Sequence, residues 1–278
     1  MNSDLKLKNE NTYLLFTIPI VILVVICSSI GIWHERIYSK ETLDWLSQTV
    51  GQDISNLFFI SPILIISAFY SSKGSKAAKI IWIGTMLTNI YSYVIYCFAL
   101  HFNFLFHVYC LILGLSIYAV IYCFIKNKNV DFKEWFSEVT PTKSMGIALF
   151  VIALLFVFLW LSNSLPQALN NTVPDNIKQD GLLTNPIHVL DLSFYLPLMF
   201  IASFKVLKKE AEGYLLAPMM MVFGILTNIN IICLMIVSMQ KESINNLPQI
   251  VIFFILGIVC ITFLLNFLKN ISREPNDI

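Results

Sequence analysis

The chain has 278 residues, 57% hydrophobic and 13% charged, with a mean hydropathy of +0.75 and a formal net charge of +1. Soluble domains carry about 25% charged residues, so a chain this apolar cannot cover its surface with polar groups, and lipid must cover it instead. The near-zero net charge leaves no basic face to neutralise phosphates, which excludes a nucleic-acid partner.

Long apolar runs occur at Tyr13–Trp33, Ile54–Ser71, Ile80–Leu100, Phe104–Ile125, Met145–Leu161, Ile187–Phe204, Tyr214–Ser238 and Leu247–Leu268. Each is close to the roughly 20 residues that cross about 30 Å of hydrocarbon as a helix. The fold class expected is therefore all-α: a polytopic membrane bundle of eight transmembrane helices. The first run is longer than the about 7–15 apolar residues of a signal peptide, and it is expected to remain as a span. No run contains Lys, Arg or Glu, and their only His or Asp residues are His107, His188 and Asp191. All six cysteines fall inside the runs, so no disulfide framework is implied.

Three connections carry a pattern of their own. His34–Asp53 holds Leu43, Trp45, Leu46 and Val50 among polar residues, which predicts a short helix lying in the interface. Asp131–Glu138 places Phe132, Trp135 and Phe136 together, as an aromatic anchor at the membrane surface or a second interfacial helix. Ser162–Pro186, rich in Asn and Pro, reads as loop.

Loop charges orient the bundle. With the N-terminus cytoplasmic, the inner segments hold Lys6 and Lys8; Lys73, Lys76 and Lys79; Lys126, Lys128, Lys133 and Lys143; Lys205, Lys208 and Lys209; and Lys269 and Arg273. Only Arg36, Lys40, Lys178 and Lys241 fall outside. The expectation is a plasma-membrane protein with both termini cytoplasmic and all four histidines at outward-facing helix ends.

Leu87-Thr88-Asn89-Ile90 in the third run recurs as Leu226-Thr227-Asn228-Ile229 in the seventh, an offset of 139 in a chain of 278. Shifted equally, Asp53 falls one residue from Asp191, and Pro62 has a counterpart four residues out of step in Pro197. This predicts a duplicated four-helix unit, residues 1–139 against 140–278, with the halves parallel because four traverses return the chain to the same side.

Ionisable and amide side chains inside a bilayer are costly and point to function by default. His188, Asp191 and Tyr195 form one stripe of the sixth helix, and Asp53 sits at the mouth of the second. His101, Asn103 and His107 bracket the turn into the fourth, while Asn89, Tyr93 and Tyr96 line the third and Asn228 the seventh. The candidate catalytic or anchoring residues are accordingly His188, Asp191, Asp53 and His107, and the candidate ligand-binding residues Asn89, Tyr93, Tyr96, His101, Asn103, Tyr195 and Asn228. Together they suggest an outward-facing polar pocket for a small or lipid-derived molecule. Membrane lipid and a small-molecule ligand are the expected partners; no protein partner and no cofactor can be named from these residues.

Two other readings compete with the pocket: a metal- or His/Asp-dependent enzyme at the outer leaflet, and a transporter or a sensor or assembly subunit acting through a partner protein. The bland alternative is that the same polar groups only hold helices together. The His and Asp set has zinc-ligand chemistry, yet no two histidines stand four apart on one helix face, so no metal is assigned. Ceramidase-type membrane hydrolases carry paired histidines in their last helix, where this chain has none. A rhomboid-like pairing of Gly114-Leu115-Ser116 with His188 fails on depth, since Ser116 lies about 18 Å down its helix at 1.5 Å per residue. Gly51-Gln52-Asp53, the run Asn185-Pro186-Ile187-His188-Val189-Leu190-Asp191 and Gly213-Tyr214 resemble a group of uncharacterised bacterial multi-pass membrane proteins. That resemblance covers most of the chain and implies no particular activity.

Overall fold

The structure is a computed structural model, and it describes residues 11–34 and 36–272. Lys6, Lys8 and Arg273 lie outside the described residues. Eight helices are long and apolar enough to cross a membrane: α1 Thr12–Trp33, α2 Leu43–Ser72, α3 Lys76–Ala99, α4 Phe106–Lys126, α5 Thr142–Leu169, α6 Pro186–Leu207, α7 Ala211–Glu242 and α8 Leu247–Leu268. No strand occurs among the described residues, only an isolated bridge between Phe136 and Ile271. The chain is an all-α polytopic helical bundle. Eight traverses bring it back to its starting face, called here the terminal face; the loops after α1, α3, α5 and α7 form the far face.

Helices α3 and α7 make the centre. In their most apolar stretches 67% and 50% of residues are buried, against 17% for α8, which therefore leaves most of its surface for lipid. Glycines allow the close approach that apolar packing in lipid requires. A Cβ at Gly84 of α3 would lie 2.6 Å from Val222 Cβ and 2.7 Å from the Met219 carbonyl oxygen of α7. On another side of α7, a Cβ at Gly51 of α2 would meet the Leu234 backbone at 2.5 Å. Gly146 does the same between α5 and α6, where the Ser203 hydroxyl donates to its carbonyl at 2.7 Å.

The second and sixth helices share one device. Each widens into a π-turn, Asn56–Ile60 in α2 and Asp191–Tyr195 in α6, and each then meets a proline, Pro62 and Pro197. Proline lacks an N–H and clashes with the carbonyl four residues back, and one wide turn relieves both problems. The prolines, the helix ends Ser72 and Leu207, and the helix starts Lys76 and Ala211 are all separated by the same interval. The Leu-Thr-Asn-Ile pair is spaced one helical turn further apart.

Several connections differ from the sequence expectation. The expected interfacial helix is the first part of α2, which begins at Leu43 under a Thr42 N-cap and runs through the membrane without a break. Asp53 is therefore not at a helix mouth; it lies about 15 Å along α2 at 1.5 Å per residue. Its polar neighbours hid the helix start. The segment 162–186 is not wholly loop, because α5 continues through Pro166 to Leu169 and Asp175–Asp180 forms a short helix closed by Gly181 at φ 72°. Phe132–Trp135 is a single 3-10 turn. Phe132 and Phe136 are buried, Phe136 packs on Tyr214 and Phe267, and the Trp135 carbonyl accepts the Ser272 N–H, so this segment clamps the end of α8.

Candidate functional site

The polar side chains within the bundle separate into two places. The first is a closed cluster among α1 to α4. Asp53 is fully buried, and its carboxylate accepts the Tyr38 hydroxyl at 2.7 Å and the Tyr96 hydroxyl at 2.8 Å. Tyr93 stacks on Tyr96 with centroids 5.3 Å apart, and Tyr109 meets Tyr96 edge-on at 5.1 Å. Gly31 supplies the space for the carboxylate, since any Cβ there would overlap it. Asn89, also fully buried, donates to the Ser116 hydroxyl at 2.9 Å, and Ser116 donates in turn to the Ile112 carbonyl at 2.7 Å. These residues tie helices together and offer no entry to a ligand.

The second place is a cavity of about 330 Å³ at the far face, between α2 and α3 on one side and α5 to α8 on the other. From α2 it takes Asp44, Gln48 and Gln52, spaced four apart and therefore on one stripe. Tyr91 comes from α3, Phe156 and Trp160 from α5, Asp191 from α6, Thr227 and Asn230 from α7, and Phe253 from α8. Its volume lies at the lower end of the about 300–1,000 Å³ typical of small-molecule sites.

Asp191 is the polar centre of this cavity. Its carboxylate accepts the Trp160 indole N–H at 2.8 Å and also interacts with the Tyr91 hydroxyl. His188, one turn earlier, is buried with its ring 4.5 Å from the Trp160 ring, centroid to centroid. Tyr195 donates to the Leu87 carbonyl at 3.0 Å and stacks on Phe223 at 4.3 Å. The stripe read from the sequence thus converges on one aromatic group, Trp160–Tyr91–Phe223. The Asn185 side chain caps the start of α6, accepting the Ile187 and His188 N–H groups.

Below Asp191 a smaller space of about 40 Å³ continues toward the bilayer centre. Leu196, Met199, Met220, Met221 and Leu256 surround it, and Phe156, Asp191 and Thr227 are common to both spaces. Methionine adapts its shape and suits an apolar guest of variable form. Two features leave this space open. A Cβ at Gly224 would meet nothing within 4 Å. The side-chain oxygen of Asn228, a residue only 5% exposed, has no hydrogen-bond partner, while its amide donates to the Gly224 carbonyl at 2.7 Å.

A further acidic pair sits at the cavity rim. The Gln48 amide donates to Asp44 at 3.1 Å and to Asp180 of the short far-face helix at 3.0 Å. Burial pushes the Asp180 carboxyl up to about 7, with a further upward push from Asp44 and a smaller one from Glu242, opposed by the Gln48 hydrogen bond. Among the described residues neither Asp44, Asp180 nor Asp191 has a cationic side chain within ion-pairing distance.

Of the residues singled out by sequence, Asp191 lines the cavity, Asn228 and Tyr195 line the smaller space below it, and His188 packs against Trp160. Asp53, Asn89 and Tyr93 belong to the closed cluster, and Tyr96 reaches only a small neighbouring hollow. His107 is exposed beside Phe106 and does not join Asp191. His101 engages Glu41, its ring nitrogen 2.9 Å from the carboxylate, and the Asn103 side chain accepts the Leu105 N–H at 3.0 Å in the turn before α4, so both shape the far-face loop. His34 packs edge-on against Phe104. Among the described residues no group of three or more His, Cys, Asp or Glu is placed to hold a metal ion. The sequence reading passed over Asp44, Gln48, Gln52, Tyr91 and Trp160. The four-residue spacing of the first three was the available signal.

In comparisons with known proteins the chain matches no family model, no curated protein and no solved structure.

Proposed function

We propose that this multi-pass membrane protein binds a small amphiphilic or lipid-derived molecule in the far-face cavity, polar end toward Asp44 and Asp191, apolar end in the methionine-lined space. The observation that carries this reading is the unfilled space itself: Gly224 facing nothing within 4 Å and the buried Asn228 oxygen without a partner. Entry fits a lateral path between α5 and α8, because α8 packs chiefly on α7 and only weakly on α5. Phe156 and Phe253 flank that path.

The proposal extends to topology. Lysines gather at the terminal face (Lys73, Lys76, Lys79, Lys126, Lys128, Lys133, Lys143, Lys205, Lys208, Lys209 and Lys269), whereas the far face has Arg36, Lys40, Lys178 and Lys241. The positive-inside rule then makes the terminal face cytoplasmic, and in a plasma membrane the cavity opens outward. The shared π-turn and proline of α2 and α6 support two related four-helix units, with α3 and α7 as their equivalent central helices. At the interval shared by the π-turns and prolines, Asp191 of the second unit matches Asn56 of the first, so only the second unit carries a carboxylate at that turn.

The test is native mass spectrometry of the protein released from neutral maltoside micelles with 1-monooctanoylglycerol, a neutral single-chain lipid. The wild type retains a one-to-one adduct. Gly224→Leu extends a side chain from an open Cβ position toward the space and lowers adduct formation by about tenfold or more, a difference of roughly 1.4 kcal/mol. Equal adducts in a stable Gly224→Leu protein overturn the reading.

A further inference from the structure

The cavity has a charge character that narrows its guest. Two carboxylates, Asp44 and Asp191, face a space whose lining includes no Lys, Arg or His. A third, Asp180, joins Asp44 through Gln48 at the rim. Elsewhere among the described residues carboxylates near the surface have found cations: Asp175 pairs with Lys178 at 3.0 Å and Glu210 with Lys205 at 2.8 Å. Asp191, which is far less accessible, has only hydrogen-bond donors, the Trp160 indole N–H at 2.8 Å and the Tyr91 hydroxyl. A carboxylate drawn out of water without a counter-charge is unfavourable, and an approaching cation relieves it strongly where the dielectric is low.

The walls suit an organic cation better than a bare metal ion. Trp160 and Tyr91 engage the Asp191 carboxylate and Phe156 and Phe253 line the same cavity, and aromatic ring faces attract ammonium groups, tryptophan most strongly. The remaining polar lining consists of amides and hydroxyls (Gln52, Asn230, Thr227), whose oxygens accept N–H donors. Deeper in, Asn228 lines the space below Asp191, and its buried side-chain oxygen has no hydrogen-bond partner. His188, the nearest basic side chain, is held against Trp160 and is not part of the lining.

We infer that the cavity selects a cationic amphiphile, an alkylammonium or a lipid with an amine headgroup, with its nitrogen beside Asp191 on the cavity side and its chain among Met199, Met220 and Met221. This rests on the cavity being a binding site at all, as proposed above, and the test separates the two claims. Three probes with the same eight-carbon chain are compared by native mass spectrometry in neutral micelles: octylammonium, 1-monooctanoylglycerol and octanoate. The expected order is cation above neutral above anion, with the cation retained about tenfold or more over the neutral probe. Asp191→Asn removes that preference, bringing retention of the cation down to that of the neutral probe. Asp44→Asn, at the more accessible rim, weakens it about threefold, and this second variant stands if Asp191→Asn does not fold. Equal retention of cationic and neutral probes, unchanged in both variants, overturns the cation assignment and leaves the cavity reading intact. Retention of none of the three overturns both.

Discussion

Gly84 and Gly224 occupy similar sequence settings, just before the two Leu-Thr-Asn-Ile segments, yet substitution by alanine should move stability in opposite directions. At Gly224 the added methyl group meets nothing within 4 Å. Its effect is the helix preference of alanine over glycine, a gain of about 0.5–1 kcal/mol. At Gly84 the methyl carbon falls 2.6 Å from Val222 Cβ and 2.7 Å from the Met219 carbonyl oxygen. Neither neighbour is the far end of a flexible side chain, so α3 and α7 must move apart by about 1 Å, and overpacking of this kind costs about 1–3 kcal/mol. Both substitutions gain the same helix preference, so the two variants should differ by the overpacking cost alone, about 1–3 kcal/mol. Thermal unfolding of both proteins in the same neutral detergent, followed by circular dichroism, measures this difference. Equal shifts, or a more stable Gly84→Ala, would refute the close crossing of α3 and α7 on which the architecture rests.

Two more predictions concern the carboxylates. The folded-state carboxyl of Asp180 titrates near 7, above its ordinary value of 3.8, so its contribution to stability is complete below about pH 4 and is lost as pH rises to 7. Each unit is worth about 1.4 kcal/mol before solvent screening, which leaves ~1–2 kcal/mol in all. Melting temperatures at pH 5 and pH 8 should show this loss in the wild type and a smaller one in Asp180→Asn; identical pH dependence in the two proteins contradicts it. In the closed cluster, Tyr38→Phe and Tyr96→Phe each remove one donor from buried Asp53, at about 1–3 kcal/mol apiece for leaving a buried group short of a partner. Because they serve one carboxylate, the double variant should depart from additivity by more than ~0.5 kcal/mol. Additive losses in unfolding titrations would mean that the two hydroxyls act separately.

The number of spans was legible because lipid-facing surface needs long apolar runs, and those runs cannot be hidden. The start of α2 was not. Asp44, Gln48, Gln52 and Asp53 lower the apolar character of that segment, and they do so because one stripe faces the cavity while Asp53 faces the Tyr38–Tyr96 pair. Polarity that marks a loop in most of a membrane protein here marks an interior surface. The relation of His188 to Asp191 followed from helical spacing alone. Their common partner Trp160 did not, because α5 is distant in sequence and its tryptophan reads as an interfacial anchor. The separation of Asp53 from Asp191 was also invisible: similar register in two helices says nothing about which carboxylate is sealed and which is open. That difference depends on Tyr38, held in the loop after α1, and on Gly31 opposite it.

The central claim is that the space around Asp191 holds an amphiphile, and photo-crosslinking tests it most directly. A single-chain amine lipid with a diazirine in its tail, equilibrated with the protein in neutral micelles and irradiated, should label Phe156, Met220, Met221 and Leu256, which enclose the deeper space. Gly224→Leu should abolish these adducts. Labelling confined to outward-facing residues such as Phe58, Ile66, Phe158 and Ile255, and indifferent to Gly224→Leu, would contradict the account.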